Sequence, residues 1–233
     1  MPVVTVVVPA LDEAGNLAPL IDEVMAAMPV EVIVVDNGSR DGTPAEVLAT
    51  GTACLVSEPR RGYGYACAAG VAATGGADVL VFLDGDRSFS PAELPRLVAP
   101  VMAGEADLVM GSRILGGMAS GDMPPPQRFG NWLMARLVNR LYGLRLTDLG
   151  PYRAVRRSLL EKLEMREMTY GWPIEMTVKA ARAGARICEV PVSYRRRTVG
   201  RSKVGGTLRG TLLAGWRIVS VTLRYARRPQ KMA

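Results

Sequence analysis

Near its start the chain carries Val3-Val4-Thr5-Val6-Val7-Val8, six β-branched residues with no polar alternation. That is the pattern of a strand buried on both faces of a parallel sheet. Pro9 stops it. Comparable runs return at Glu31 to Val35, Ala53 to Ser57, Ala77 to Leu83 and Asp107 to Gly111. Between them the pattern turns helical: Asp12-Glu13-Ala14-Gly15-Asn16 opens a helix that runs to Met28, Pro44 to Ala49 forms a short second, and the small residues of Gly64 to Ala73 form a third, able to pack closely on a sheet. Strands alternating with helices indicate βαβ units, right-handed crossovers and an α/β fold built on a mostly parallel sheet with helices on both faces.

The texture changes at Gly116 to Pro126, which is glycine-rich and ends in three consecutive prolines, the mark of a flexible connection. Beyond it the pattern predicts helices over Phe129 to Leu141 and Trp172 to Ala183, and a strand over Arg186 to Arg195 that Pro191 confines to a sheet edge. Leu208 to Tyr225 is the last helix, with Leu208, Leu212, Trp216, Val219 and Leu223 on one face and Arg209, Arg217 and Arg224 recurring at helical spacing. Such a face suits either core packing or a membrane surface.

At 233 residues and a mean hydropathy of +0.13 the chain has material for one sizeable core. No apolar run reaches the roughly 18 residues of a spanning helix, and Met1 to Val8 lacks the basic start of a secretory signal. Cys54, Cys67 and Cys188 form no Cys-x-x-Cys pair, so neither a disulfide framework nor a zinc site is expected, and a reducing, cytoplasmic setting fits. The chain has no histidine, which removes the usual neutral-pH base and every Ser-His-Asp arrangement. Chemistry falls to carboxylates and cations.

Those charges are segregated. Residues 1–112 hold 5 Lys/Arg against 15 Asp/Glu, and residues 113–233 hold 24 against 7, for nets of −10 and +17. An acidic half suits a metal and its ligands. A basic half suits phosphates, nucleic acid or an anionic membrane, or is a solvated surface.

Phe82-Leu83-Asp84-Gly85-Asp86 puts two carboxylates two residues apart at the end of a buried strand, on one side of an extended chain. Such a pair can hold Mg²⁺ or Mn²⁺, with substrate phosphates filling the shell; the plainer alternative is an Asp-Gly turn. In an open α/β sheet, ligands bind beyond the carboxyl ends of the strands. Pro9-Ala10-Leu11-Asp12-Glu13 and Asp36 reach that same edge. Asp36 can accept from a base or ribose hydroxyl, or serve the Asn37-Gly38 turn, while Asp41-Gly42-Thr43 reads as a helix cap.

Here the sequence resembles family-two glycosyltransferases of the GT-A fold, in the branch of dolichyl- and polyprenyl-phosphate mannosyl- or glucosyltransferases. The likeness runs from Val3 to about Val204. It rests on residues 7–13 with Asn16, residues 35–43, Gly62-Tyr63-Gly64-Tyr65-Ala66, Asp84-Gly85-Asp86 with Ser88 and Pro91, Gly111-Ser112-Arg113, Glu189-Val190-Pro191-Val192 and Gly200-Arg201-Ser202-Lys203. It implies one GT-A domain over 1–204, with a nucleotide-sugar half (1–112) and an acceptor half (113–204), followed by a basic amphipathic helix and tail over 205–233.

The resemblance further implies a UDP-glucose- or GDP-mannose-type donor bound by Pro9, Ala10, Leu11, Glu13, Asp36 and Gly38. Asp84 and Asp86 would hold the metal–diphosphate and act as the catalytic pair. In some members a glutamine two places beyond the second aspartate is a further ligand; this chain has Ser88 there. The acceptor phosphate would meet Arg113, Arg128 in Gln127-Arg128-Phe129-Gly130-Asn131, Arg201 and Lys203, through the bidentate grip of arginine and the point charge of lysine. Arg195-Arg196-Arg197 has no such motif support and suits contact with anionic lipid.

Thr147-Asp148-Leu149-Gly150-Pro151-Tyr152-Arg153 departs from the related Thr-Asp-x-x-(small)-Gly-Phe pattern, and Glu175 in Trp172-Pro173-Ile174-Glu175 matches a recurrent family glutamate. Each can orient substrate, brace the layer, or act as a base for a hydroxyl acceptor. A phosphomonoester needs no base. The expectation is an inverting enzyme peripheral on the cytoplasmic face of an anionic membrane, with no nucleic-acid partner. The alternatives are the same fold acting on a hydroxyl, or a non-catalytic nucleotide-binding, membrane-associated module.

Overall fold

The computed structural model describes residues 3–118, 122–195, 197 and 208–226, with side chains from 215 onward in the last segment. In chain order the elements are β1 (Val4–Ala10), α1 (Leu17–Ala27), β2 (Glu31–Asp36), α2 (Thr43–Thr50), β3 (Cys54–Ser57), α3 (Tyr63–Ala73), β4 (Val79–Phe82), α4 (Leu94–Met102), β5 (Leu108–Ser112), α5 (Pro125–Tyr142), β6 (Arg153–Arg156), α6 (Arg157–Leu163), α7 (Trp172–Arg182), β7 (Ile187–Pro191) and α8 (Leu208–Ala226). The strands form one seven-stranded sheet in the order β3-β2-β1-β4-β6-β5-β7. All neighbours run parallel except β6, which is antiparallel to both β4 and β5.

Alternation along β1 divides the core. Val4, Val6 and Val8 face α1 and α4, meeting Leu17, Leu20, Ile21, Leu97 and Val101. Val7 faces the other way with Ile33, Val35, Leu80 and Phe82, toward Ala66 and Cys67 of α3 and Met176 and Val178 of α7. Full burial of one such aliphatic side chain contributes about 1.5–3 kcal/mol. The close approach expected of the small-residue helix is present: a Cβ on Gly70 would sit 2.3 Å from Val7 Cγ1.

Several boundaries differ from expectation. The first helix starts at Leu17 rather than at Asp12, because Asp12 (φ 49°) and Gly15 (φ 84°) are left-handed and make residues 12–16 a turn. The second and third prolines of the stretch read as a connection, Pro125 and Pro126, already lie inside α5, since proline fits a first helical turn whose N–H groups need no partner. The strands, α3 and α7 match closely, and β7, carrying Pro191, is an edge strand as expected. No sequence expectation covered α4, α6 or the four-residue β6.

The last helix corrects another reading. Val221, Thr222 and Tyr225 are buried against α5 and α7, whereas Trp216 and Leu223 of the proposed apolar face are 70% and 36% exposed. Tyr142 Oη donates to Thr222 O at 2.6 Å, and Arg182 binds Tyr225 O. The helix therefore packs through one face and leaves a second apolar strip outside. Leu208, Arg209 and Leu212 have side chains outside the described residues. No helix among the described residues is long and apolar enough to cross a membrane.

Candidate active site

The carboxyl ends of β1, β2 and β4 lie side by side, with Ala10 opposite Asp36 and Val7 opposite Phe82. Loops leaving β1 and β2 are laced together. Asp12 N–H donates to Ser39 Oγ at 2.8 Å, Arg40 N–H donates to Asp12 Oδ1 at 2.8 Å, and Glu13 N–H donates to Thr43 Oγ1 at 2.8 Å. Asp36 Oδ1 accepts Ser39 N–H at 3.0 Å. Pro9, Ala10, Leu11, Glu13, Asp36 and Gly38 thus share one sheet edge. The Asp41-Gly42-Thr43 segment opens α2 as read: Gly42 holds the cap position, and Asp41 accepts the N–H of Thr43, the first residue of the helix, as well as that of Ala14.

Asn37 extends the lacing, donating to Glu58 O and Arg60 O and accepting Gly62 N–H at 2.8 Å. Gly62 and Gly64 then pass close to a distant loop. A Cβ on either would come within 2.4 Å of the carbonyl oxygen of Met168 or Glu167, and Tyr65 N–H donates to Met168 O at 3.1 Å. This contact sets the start of α3, from which Tyr63 Oη donates to Asp84 Oδ1 at 3.2 Å.

Asp84 and Asp86 follow β4. Burial and the neighbouring Asp86 charge push the Asp84 carboxyl up to about 7. Asp86 Oδ1 accepts from both the N–H and the hydroxyl of Ser88, so Ser88 orients the aspartate from a buried position. Asp86 Oδ2 accepts Arg197 Nη2 at 2.8 Å, and Arg197 Nη1 donates to Glu13 Oε1 at 2.9 Å. Among the described residues no group of three or more His, Cys, Asp or Glu could hold a metal. Two carboxylates, one driven toward its neutral form by burial and by the charge of the other, fit a hard divalent ion that takes its remaining oxygens from phosphate and water.

The basic residues divide. Arg113 is buried beside the end of β5, giving Nε and Nη2 to Asp148 at 2.7 Å each, and lies over the Tyr194 ring at 5.2 Å. Burial raises the Asp148 carboxyl, but the Arg113 bonds outweigh it and hold the group below its usual range. Arg128 is exposed on the first turns of α5, and Asn131 of the same motif accepts Leu149 N–H at 3.2 Å, tying that helix to the Asp148 loop. Arg201 and Lys203 lie outside the described residues.

Glu175 braces the layer. It is fully buried, accepts Tyr225 Oη at 2.6 Å and the N–H groups of Arg166 and Glu167, and pairs with Lys179 at 2.9 Å. Asp148 is also consumed by structure.

Sequence reasoning missed Tyr63 and Arg197. Arg197 was grouped with a lipid-facing run. Yet an extended run alternates sides, and the segment after β7 bridges to Phe89 through Tyr194 and donates Arg195 N–H to Ser88 O at 2.9 Å. Both Arg195 and Arg197 therefore turn to the acidic half, Arg195 toward Arg87 O and Glu23.

A family model described as glycosyl transferase family 2 matches residues 5–164. An uncharacterized glycosyltransferase of Mycobacterium tuberculosis is 40% identical over 222 residues, 93% of this chain and 98% of that protein. An undecaprenyl-phosphate mannosyltransferase of Micrococcus luteus is 34% identical over 89% of each chain. The polyprenol monophosphomannose synthase of Mycolicibacterium smegmatis is 35% identical over 87% of this chain and 81% of its own. Among solved structures, glucosyl-3-phosphoglycerate synthase of Mycobacterium tuberculosis with Mn²⁺, uridine diphosphate and phosphoglyceric acid superposes with a TM-score of 0.75 at 26% identity, covering 99% of this chain and 80% of that one.

Proposed function

Since the chain belongs to glycosyltransferase family 2, we propose that it moves a hexose, with inversion, from a UDP-glucose- or GDP-mannose-type donor to a polyprenyl phosphate. The single observation that carries the phosphate acceptor is the state of the two other candidate bases. Glu175 and Asp148 are each buried and bonded to structural partners, which leaves neither free to deprotonate a hydroxyl. A phosphate oxygen, ionised at neutral pH, needs no such group. The relatives named as an undecaprenyl-phosphate mannosyltransferase and a polyprenol monophosphomannose synthase support the same class.

In this reading Pro9 to Glu13, Asp36 and Gly38 bind the nucleoside, with Asp36 accepting from the base or ribose. Asp84 and Asp86 hold Mg²⁺ or Mn²⁺, which when bound supplies positive charge to the diphosphate leaving group. Tyr63 and Ser88 fix the two carboxylates. Arg128, Arg201 and Lys203 grip the acceptor phosphate, and Arg113 adds positive field from behind, its fork held by Asp148. The acceptor oxygen attacks the anomeric carbon in line as the bond from that carbon to the diphosphate oxygen breaks, and the pair of electrons leaves with the nucleoside diphosphate.

Peripheral contact with an anionic bilayer belongs to the same proposal. Adjacent helices α5 and α8 leave Phe129, Trp132, Leu133, Trp216 and Leu223 exposed, among the exposed Arg128, Arg136, Arg140, Arg217 and Arg224. Aromatic and aliphatic groups among arginines suit an interfacial location.

A panel of nucleotide sugars with short polyprenyl phosphates and Mg²⁺ or Mn²⁺, read by mass spectrometry for a lipid-phosphate-sugar product, tests the reading. Product with one donor and its loss in Asp86→Asn are expected. Sugar transfer only to hydroxyl acceptors would overturn the acceptor class.

A further inference from the structure

Arg197 joins two carboxylates that come from different loops, Glu13 after β1 and Asp86 after β4. The three side chains are largely shielded, at 19%, 8% and 14% exposure. Glu13 is itself held by Asn16 Nδ2 at 3.0 Å, so the guanidinium has a fixed anchor on one side. On the other side, Asp86 has divided its oxygens: Oδ1 receives both Ser88 donors, and Oδ2 receives Arg197. A cation approaching Asp86 finds Oδ1 facing N–H and O–H groups, and Oδ2 facing a positive charge.

We propose that Arg197 is a built-in competitor for the divalent cation: guanidinium and metal are alternative partners of Asp86 Oδ2, and the metal enters as the Arg197–Asp86 contact opens. This rests on the assignment of Asp84 and Asp86 as the metal site. Two cations on one carboxylate oxygen repel across a short distance, and in a shielded site that repulsion is poorly screened. In the absence of metal the arginine neutralises an acidic cluster that burial would otherwise penalise. Its presence lowers the affinity for metal alone. A nucleoside diphosphate changes the balance by offering the released guanidinium a second anion, so metal and nucleotide bind cooperatively.

The test is a Mn²⁺ titration of the full chain, followed by the electron-paramagnetic signal of free Mn²⁺, with no nucleotide and then with UDP or GDP. Arg197→Gln is expected to bind Mn²⁺ alone at least about fivefold more tightly than the wild type, and to show a smaller enhancement by nucleotide. Its metal-free form should melt at lower temperature. Arg197→Lys keeps a charge but cannot fork between Glu13 and Asp86, so it should gain less, and it serves if the glutamine variant does not fold. Arg195→Gln, whose contacts are Arg87 O and Glu23, should match the wild type.

Unchanged or weaker Mn²⁺ binding in Arg197→Gln, or in Arg197→Lys where the glutamine variant does not fold, overturns the proposal. Asp86→Asn separates this from failure of the functional reading. If that variant loses Mn²⁺ binding while Arg197→Gln gains none, only the competitor role falls. If Asp86→Asn keeps wild-type affinity, the metal assignment itself falls, and the competitor role with it.

Discussion

Tyr225 Oη donates to Glu175 Oε1 across 2.6 Å, joining the last turn of α8 to the first turn of α7. Tyr225 thus points inward. Hydrogen bonds to buried charged groups contribute about 1.5–3 kcal/mol. Tyr225→Phe keeps the ring and should lower unfolding free energy by about that amount in urea titrations, with nucleotide affinity unchanged. A loss below about 0.5 kcal/mol would mean that Lys179 and the Arg166 and Glu167 N–H groups satisfy Glu175 without the tyrosine.

The Arg113–Asp148 fork is a stronger case. Removing one partner of a buried pair leaves the other charge unpaired, at a cost of about 3–5 kcal/mol. Asp148→Asn should therefore destabilise the protein severely at pH 7. The sign of the pH dependence follows from the lowered Asp148 carboxyl. Its contribution is complete above the unfolded value of about 4 and fades as pH falls through the folded one, so the gap between wild type and variant narrows in acid. Denaturation series from pH 7 down to about pH 2 would check this, and a gap constant across the whole range would contradict it.

Donor and acceptor effects should separate. Arg128→Ala and Lys203→Ala are expected to raise the acceptor KM or lower kcat, with nucleotide affinity little changed. Initial-rate kinetics with both substrates varied give the answer. A variant that lost nucleotide binding but kept its acceptor dependence would reverse the division of the basic half.

Membrane contact should be salt-sensitive and carried by the exposed strip. Wild-type protein should co-sediment with anionic vesicles at low salt and release as salt rises, each basic group near the surface contributing about 1 kcal/mol. The double variant Phe129→Ala, Trp216→Ala should bind more weakly at every salt concentration. Absence of binding at low salt would show that the strip has another role, and resistance to both salt and carbonate would show deeper insertion.

The acidic half was legible because its signals are local. The buried strands β1, β2 and β4 are near-continuous apolar runs, and Asp36, Asp84 and Asp86 come at or just after the ends of β2 and β4, so topology alone brings them to one edge. What stayed hidden depends on distant pairing. The strand β6 is four residues bounded by Arg153 and Arg156, and Arg153 is fully buried only because Pro173 O, Thr177 Oγ1 and Gly150 O receive it. No local pattern announces that. Likewise Arg197 looks like one more cation in a basic run until the segment after β7 is laid against residues 86–89. For α8 the periodicity allows both core packing and a membrane surface, and it does not say which apolar strip has a partner in the fold.

One consequence concerns the order in which the ribosome delivers the chain. The reversed strand β6 is the only link between β4 and β5 in the described sheet, and the only other strand that β5 pairs with is β7. When residue 112 has been made, β4 therefore has a bare hydrogen-bonding edge and β5 has no strand to join. An open edge of that kind invites pairing with another nascent chain. The half that carries Asp36, Asp84 and Asp86 is thus closed on its β4 side by Arg153–Arg156, a strand that the basic half supplies.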